Sequence, residues 1–235
     1  MKKRGFTLAE VLIAMALVGV ISALTLPTFV SNSRNRANAA KLSSTVNAVE
    51  TAFQTMMASQ AEDDFSQTSF GQDPTESNLS EFLKLNGNWN NLSEAGYETD
   101  APFKSISNTG TTVSCNRVYL TKNGAIIGIN TENRVNRNEE RVKSLGGSVT
   151  ASLGTFVIDV NGTALPNKWG RDAFYFSLGN DGMLYPAGSL NFSILQRDSD
   201  DQLHSREGGV DRCNNGVFTV GCTARLIENN YEVDF

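Results

Sequence analysis

Residues 1–30 read MKKRGFTLAEVLIAMALVGVISALTLPTFV, and this stretch decides the class of the protein. Lys2, Lys3 and Arg4 crowd the start, and the twenty residues 11–30 carry no charge. A helix over them is about 30 Å long, the thickness of a bilayer hydrocarbon core. A soluble helix of that length shows a polar face, and this run has none. Three readings compete: an ordinary signal peptide, a permanent anchor, and an anchor behind a short leader. An ordinary signal has an apolar core of roughly 7–15 residues and then a small-x-small cleavage site. Ala14-Met15-Ala16 has that pattern in mid-run, and Ser31-Asn32-Ser33 carries only a weak version beyond it. Lys2, Lys3 and Arg4 before the span tie with Arg34, Arg36 and Lys41 after it, so charge counting alone does not orient the helix. Long downstream segments translocate largely regardless of charge, which places the N-terminus in the cytoplasm and the rest outside.

The other bounds are broad. The chain has 235 residues, enough for one domain plus an appendage. Hydrophobic residues at 40% and charged residues at 19% exclude wholesale disorder and a polytopic membrane protein. A net charge of −5 gives no sign of a nucleic-acid partner. The single histidine, His204, excludes multi-histidine metal sites, and it lies in a polar stretch that reads as surface. Three cysteines are too few for a disulfide scaffold. No phosphate-binding glycine loop, nucleophile elbow or metalloprotease motif occurs.

Glu10 is anomalous. It opens an apolar run that holds no basic residue, and an ionisable group in a spanning helix costs a few kcal/mol and marks function by default. The competing reading is a carboxylate that faces water at the interface. The string Gly5-Phe6-Thr7-Leu8-Ala9-Glu10-Val11-Leu12-Ile13-Ala14 resembles the prepilin signal of type IV pilins and type II secretion pseudopilins. That signal is a short basic leader ending in Gly, then Phe, Thr-Leu and Glu at the fifth mature position. The resemblance implies cleavage between Gly5 and Phe6 by a prepilin peptidase, N-methylation of Phe6, and a role for Glu10 in assembly. Gly19 and Pro27 match a helix-loosening Gly and Pro that the family often carries in its span. Cleavage would lower Lys+Arg from 20 to 17 and the net charge from −5 to −8.

Ala39, Leu42, Val46, Val49, Phe53 and Met56 recur at steps of three and four, with Arg34, Arg36, Lys41 and Glu50 off the stripe. Span and stripe together predict one helix from about Thr7 to Gln60, roughly 80 Å long. Residues 61–75 read as a loop, Ser77–Leu85 as a short helix broken by the NGNWNN run, and 130–148 as exposed connection. Thr112–Leu120 with Ala125–Ile129, then Thr155–Val160, Ala173–Leu178 and Met183–Tyr185, read as strands. Asn180-Asp181-Gly182 is a tight turn. The expected fold is α+β: a leader at 1–5, a spanning helix half at 6–30, an amphipathic half at 31–60, and a head at 61–235 with an antiparallel sheet against the helix. This is the layout of a pilin, although the head is larger than small major pseudopilins carry.

Asp159, Asn161, Asp172 and Asp181 cluster in the sequence around turns, a composition that suits calcium but is first of all the ordinary chemistry of turns. Major pseudopilins, which this chain resembles, bind calcium in a C-terminal loop; no other cofactor is implied. Many type IV pilins have a C-terminal disulfide loop, and Cys213 with Cys222 looks like a short version. Cys115 is then free, sitting in a strand; its pairing with Cys213 or Cys222 is the rival connectivity. The resemblance implies a filament subunit whose partners are copies of itself, other pilin-like subunits, the prepilin peptidase, the inner-membrane assembly platform and membrane lipid. The alternatives are a secreted domain with an ordinary signal and a permanently anchored adhesin or receptor.

Overall fold

The computed structural model describes residues 7–98, 102–104, 110–111, 113–131, 135–136, 151–187, 189, 213 and 221–232. Helix α1, Leu8–Gln60, is one continuous element of 53 residues, about 80 Å long. Its apolar window near the N-terminus is 0% buried. Burial begins at Ala39, and the whole stripe of Ala39, Leu42, Val46, Val49, Phe53 and Met56 is shielded from solvent. One helix therefore serves two environments, its first half apolar all round and its second half one-sided.

Residues 61–75, expected to be a loop, instead fold over the helix end. A 3₁₀ turn at Phe65–Gln67 and helix α2, Ser69–Gln72, place Phe65 and Phe70 in the core. Their ring centroids lie 4.5 Å and 5.8 Å from that of Phe53. The polar residues that suggested a loop are caps: Thr68 Oγ1 accepts from the Gly71 N–H, and Asp64 from the Ser66 N–H. Helix α3 is shorter than expected, Glu76–Ser80.

The main sheet is antiparallel, and the path through it runs β1 (Leu85–Trp89), β4 (Arg117–Thr121), β5 (Ile126–Asn130), β7 (Ala151–Asp159), β8 (Ala173–Gly179) and β9 (Leu184–Pro186). Strand β6, Val135–Asn136, pairs with the start of β7, so part of the expected connection at 130–148 is strand. Strands β2 (Phe103–Lys104) and β3 (Gly110–Thr111) form a small second sheet. The first four residues of the Asn-rich run expected to break a helix belong to strand β1, paired with β4 from Leu85↔Thr121 to Trp89↔Val118. Such residues are tolerated because β1 is an edge strand whose Asn86 and Asn88 face solvent.

The hairpin from β8 to β9 turns on Gly182 at φ +73°, a conformation open to glycine. Helix α4, Cys222–Glu228, packs beside the open end of this hairpin, where Ala224 N–H donates to Ala187 O at 3.1 Å and Tyr175 N–H to Thr223 Oγ1 at 3.0 Å.

Both faces of the sheet are covered. Tyr119, Ile127, Ile129, Phe156, Ile158, Phe174 and Phe176 pack against α1. Val118, Ile126, Val157 and Ala173 face the other way, onto Trp169, Phe103, Tyr97 and Leu92. The alternation along each strand is therefore apolar on apolar, and β5 and β7 read as continuous hydrophobic runs.

Candidate functional site

Thr7 starts α1 in extended backbone, and its hydroxyl oxygen accepts from the Glu10 N–H. Glu10 answers with a carboxylate oxygen that accepts from the Thr7 N–H and the Thr7 hydroxyl, each at 2.9 Å. This capping box satisfies two helix-end donors. The carboxylate that had no basic neighbour in sequence thus has two donors in its own chain. It also stands at the positive end of the helix dipole. Gly5 and Phe6 lie outside the described residues.

The helix continues unbroken through Gly19 and Pro27. A Cβ on Gly19 would meet nothing within 4 Å, so packing within this chain does not demand glycine there. Pro27 has no N–H to give to the Ala23 carbonyl one turn earlier, which is a weak point in the helical ladder. Both residues stand among exposed apolar side chains.

At the end of the head nearest the apolar span, Asp159 closes β7 and Asp172 precedes β8, with relative exposures of 1% and 0%. Asp159 accepts from the Tyr97 hydroxyl at 2.8 Å and from the Asn161 N–H at 3.1 Å. Asp172 accepts from Asn161 Nδ2 at 3.2 Å, from the Asn167 N–H at 3.1 Å and from the Lys168 N–H. Trp169 is fully buried below this loop, with its ring 4.8 Å from Phe103 and 5.9 Å from Tyr175. Burial raises the Asp159 carboxyl to about 8, opposed by the Tyr97 hydrogen bond and reinforced by the charge of Asp172. Burial also raises Asp172, opposed by the two backbone N–H groups that face it. Lys41 is lowered by burial and pulled back up by Asp159.

Asp181 does not join these residues. It lies in the turn after β8, where it accepts from the Tyr185 hydroxyl at 2.5 Å and the Met183 N–H at 3.1 Å. Strand β8 spans seven residues, so the two ends are about 20 Å apart. The expected four-residue calcium set is therefore split. The remaining three fit calcium poorly, because N–H and O–H donors already occupy lone pairs of both carboxylates. Asn161 Oδ1 and Asn167 Oδ1 are buried acceptors without a partner among the described residues. Two amide oxygens fall well short of the roughly six to eight that calcium takes. Among the described residues, no group of three or more His, Cys, Asp or Glu side chains could hold a metal ion. His204 lies outside the described residues.

Cys213 is bonded to Cys222, with Cα atoms 5.0 Å apart, and Cys115 is a free buried thiol. Cys115 precedes β4 rather than sitting in a strand. Its Sγ would stand 2.6 Å from a Cβ placed on Gly128, so the glycine in β5 makes room for it. Burial pushes this thiol up to about 12, which keeps it protonated and unreactive.

Two residues of the buried acid pair's surroundings had no mark in the sequence. Tyr97 lies 62 positions before Asp159, and Asn167 looks like any loop asparagine.

A family model described as the prokaryotic N-terminal methylation motif matches residues 1–26. No curated protein and no solved structure matches the chain. The protein thus carries the prepilin-type signal of type IV pilins and pseudopilins, on an α+β layout that suits a pilin.

Proposed function

We propose that this chain is a structural subunit of a type IV filament, a pilus or a secretion pseudopilus. It is held in the inner membrane by residues 11–30 with its head outside the cytoplasm, then polymerised through α1. The observation that carries this reading is the coincidence of the methylation motif with the start of a helix whose N-terminal apolar window is 0% buried in its own chain. Prepilin peptidase removes residues 1–5 and methylates Phe6, and the assembly platform passes the subunit to copies of itself or to other pilin-like subunits. No catalytic role is assigned to the head.

In assembly, the Phe6 α-amine of one subunit pairs with the Glu10 carboxylate of the next. That amine has a reference pKa near 7.7–8.0, so it is largely protonated at neutral pH. The pair removes two costly charges from the apolar phase and sets an axial register. The capping box makes the charge separately testable. Gln at position 10 can still cap Thr7, whereas Ala cannot. Glu10→Gln should be inserted and cleaved but should enter sheared filaments poorly, as should Glu10→Ala. Filament yield is measured against membrane-held subunit, with this subunit as the sole pilin. Full incorporation of Glu10→Gln together with failure of Glu10→Ala would assign Glu10 to capping and end the charge-pair proposal.

A further inference from the structure

A cleft of about 440 Å³ lies between α1 and the loop that follows β7, lined by Pro27, Val30 and Arg34 on the helix and Pro166, Lys168 and Arg171 on the loop. Pro27 and Val30 belong to the end of the apolar run, and Arg34 is the first charge beyond it. The cleft therefore straddles the level at which a spanning helix leaves hydrocarbon for headgroups. The loop is fixed there, since Asn38 Nδ2 donates to Arg171 O at 3.0 Å.

The tip of this loop is apolar. Leu165 is 75% exposed, and Met183 at 37% is the other large apolar side chain left open among the described residues beyond the span. The acidic side chain in the cleft lining, Asp172, is fully buried and turned onto the loop's own N–H groups. An apolar tip beside cationic side chains, at the edge of an apolar span, has the chemistry of an interfacial anchor. The tip enters the acyl boundary, and the cations meet lipid phosphates.

We propose that residues 163–171 dock the head onto the outer surface of the membrane that α1 spans, Leu165 entering the acyl boundary while Arg34 and Lys168 hold the phosphate of an anionic phospholipid. The inference rests on the spanning reading of residues 11–30. It gives the membrane-stored subunit a fixed head orientation, and extraction into a filament breaks this contact.

The test uses the full chain in vesicles of phosphatidylcholine, with and without phosphatidylglycerol. A fluorophore is placed on Ala164→Cys, an exposed position beside Leu165, and on Leu17→Cys within the span. Cys115 is buried and Cys213 and Cys222 are bonded, so the new thiol takes the label. Spin-labelled lipid should quench the Ala164 label in vesicles that contain phosphatidylglycerol. Arg34→Gln with Lys168→Gln should lower the docked-to-undocked ratio about 25-fold, at roughly fivefold per basic residue near an anionic surface. Leu165→Ser should weaken the same quenching. An Ala164 label that stays unquenched and open to aqueous iodide, while the Leu17 label is quenched, overturns the docking proposal and spares the span. An unquenched Leu17 label overturns both. Equal quenching of the Ala164 label without anionic lipid overturns headgroup recognition. Protection from iodide that grows with protein density, without lipid quenching, assigns the cleft to a second copy of the chain instead.

Discussion

Asp159 shows how far burial changes a residue whose identity looks ordinary. Its carboxyl has an ordinary value of 3.8 and is raised to about 8 in the folded chain. The unfolded chain releases the proton near the ordinary value, and the folded chain keeps it through neutrality. Between those limits the folded state binds more protons, so this group makes stability fall as pH rises, and the effect levels off above about 8. The slope it contributes is at most about 1.4 kcal/mol per pH unit. Asn at this position copies the neutral acid and can still bond Tyr97. Asp159→Asn is therefore expected to flatten the thermal stability profile of the full chain in detergent between pH 5 and 8, and to leave it more stable than wild type at pH 8. Parallel profiles for the two proteins would show that Asp159 is ionised in the fold. At the other end of the chain, Thr7→Val should remove the hydroxyl half of the capping box and cost about 1 kcal/mol locally. Amide exchange of the first turn of α1 in micelles reads that loss, and unchanged protection would mean that the cap contributes nothing.

Helix α1 is held to the head by its stripe and by a few polar stitches. Phe53 is the centre of the stripe: fully buried, 4.5 Å from Phe65 and 5.9 Å from Phe156 by ring centroid. Phe53→Ala is expected to cost about 3–5 kcal/mol, because the cavity lies between two rigid layers. Urea unfolding followed through Trp fluorescence measures it, and a cost below about 1 kcal/mol would show that the site collapses freely. Two of the polar stitches are Glu50, which accepts from the Leu184 N–H at 3.0 Å, and Gln54, which donates to Asp181 O at 2.6 Å. They fix the sheet's far end along the helix. The disulfide acts on a different element. It ties Cys213 to the first residue of α4, whose Thr223 and Ala224 bond to Tyr175 and Ala187. Closing a loop of about ten residues is worth about 2.7 kcal/mol on the chain-entropy model. Cys213→Ser with Cys222→Ser should lose about that much and should deprotect α4 before the sheet. Uniform loss across the head would mean that α4 and the sheet unfold as one unit.

For the whole molecule, the proposed function makes removal of residues 1–5 the decisive event. That cleavage would take away three positive charges, so a mature form beginning at Phe6 should focus below the unprocessed chain's sequence value near pI 5.0. N-terminal sequencing of membrane-held and filament-held protein should give methylated Phe6 as the first residue. A mature end near Ser33 would instead mark an ordinary secreted protein, and an intact Met1 a permanent anchor. The division of labour along the molecule explains why one chain can do both jobs. Residues 8–27 present only apolar side chains outward, apart from Glu10 and a few small polar groups. Beyond Ala39 the same helix is one wall of a folded core, so the extraction that the proposed function requires would not unfold the head.

The spanning segment, the stripe from Ala39 to Met56 and the tight turn at Gly182 were legible in the sequence because each rests on local periodicity or on a backbone requirement of one residue. The same is true of the methylation motif, whose elements are contiguous. Strand β1 was not legible, because its Asn-rich composition reads as a break, and edge pairing with β4 overrides that preference. The segment with Phe65 and Phe70 was hidden by its polar neighbours, which turned out to be caps. The acid pair was half legible. Asp159, Asn161 and Asp172 stand close in the sequence, but only the sheet decides that Asp181 lies at the opposite end of β8 and that Tyr97 arrives from 62 residues away. Short-range chemistry is written in neighbouring residues. Burial, the raised pKa of Asp159 and the cleft between Arg34 and Lys168 depend on long-range packing, which sets the distance between groups that sequence spacing leaves open.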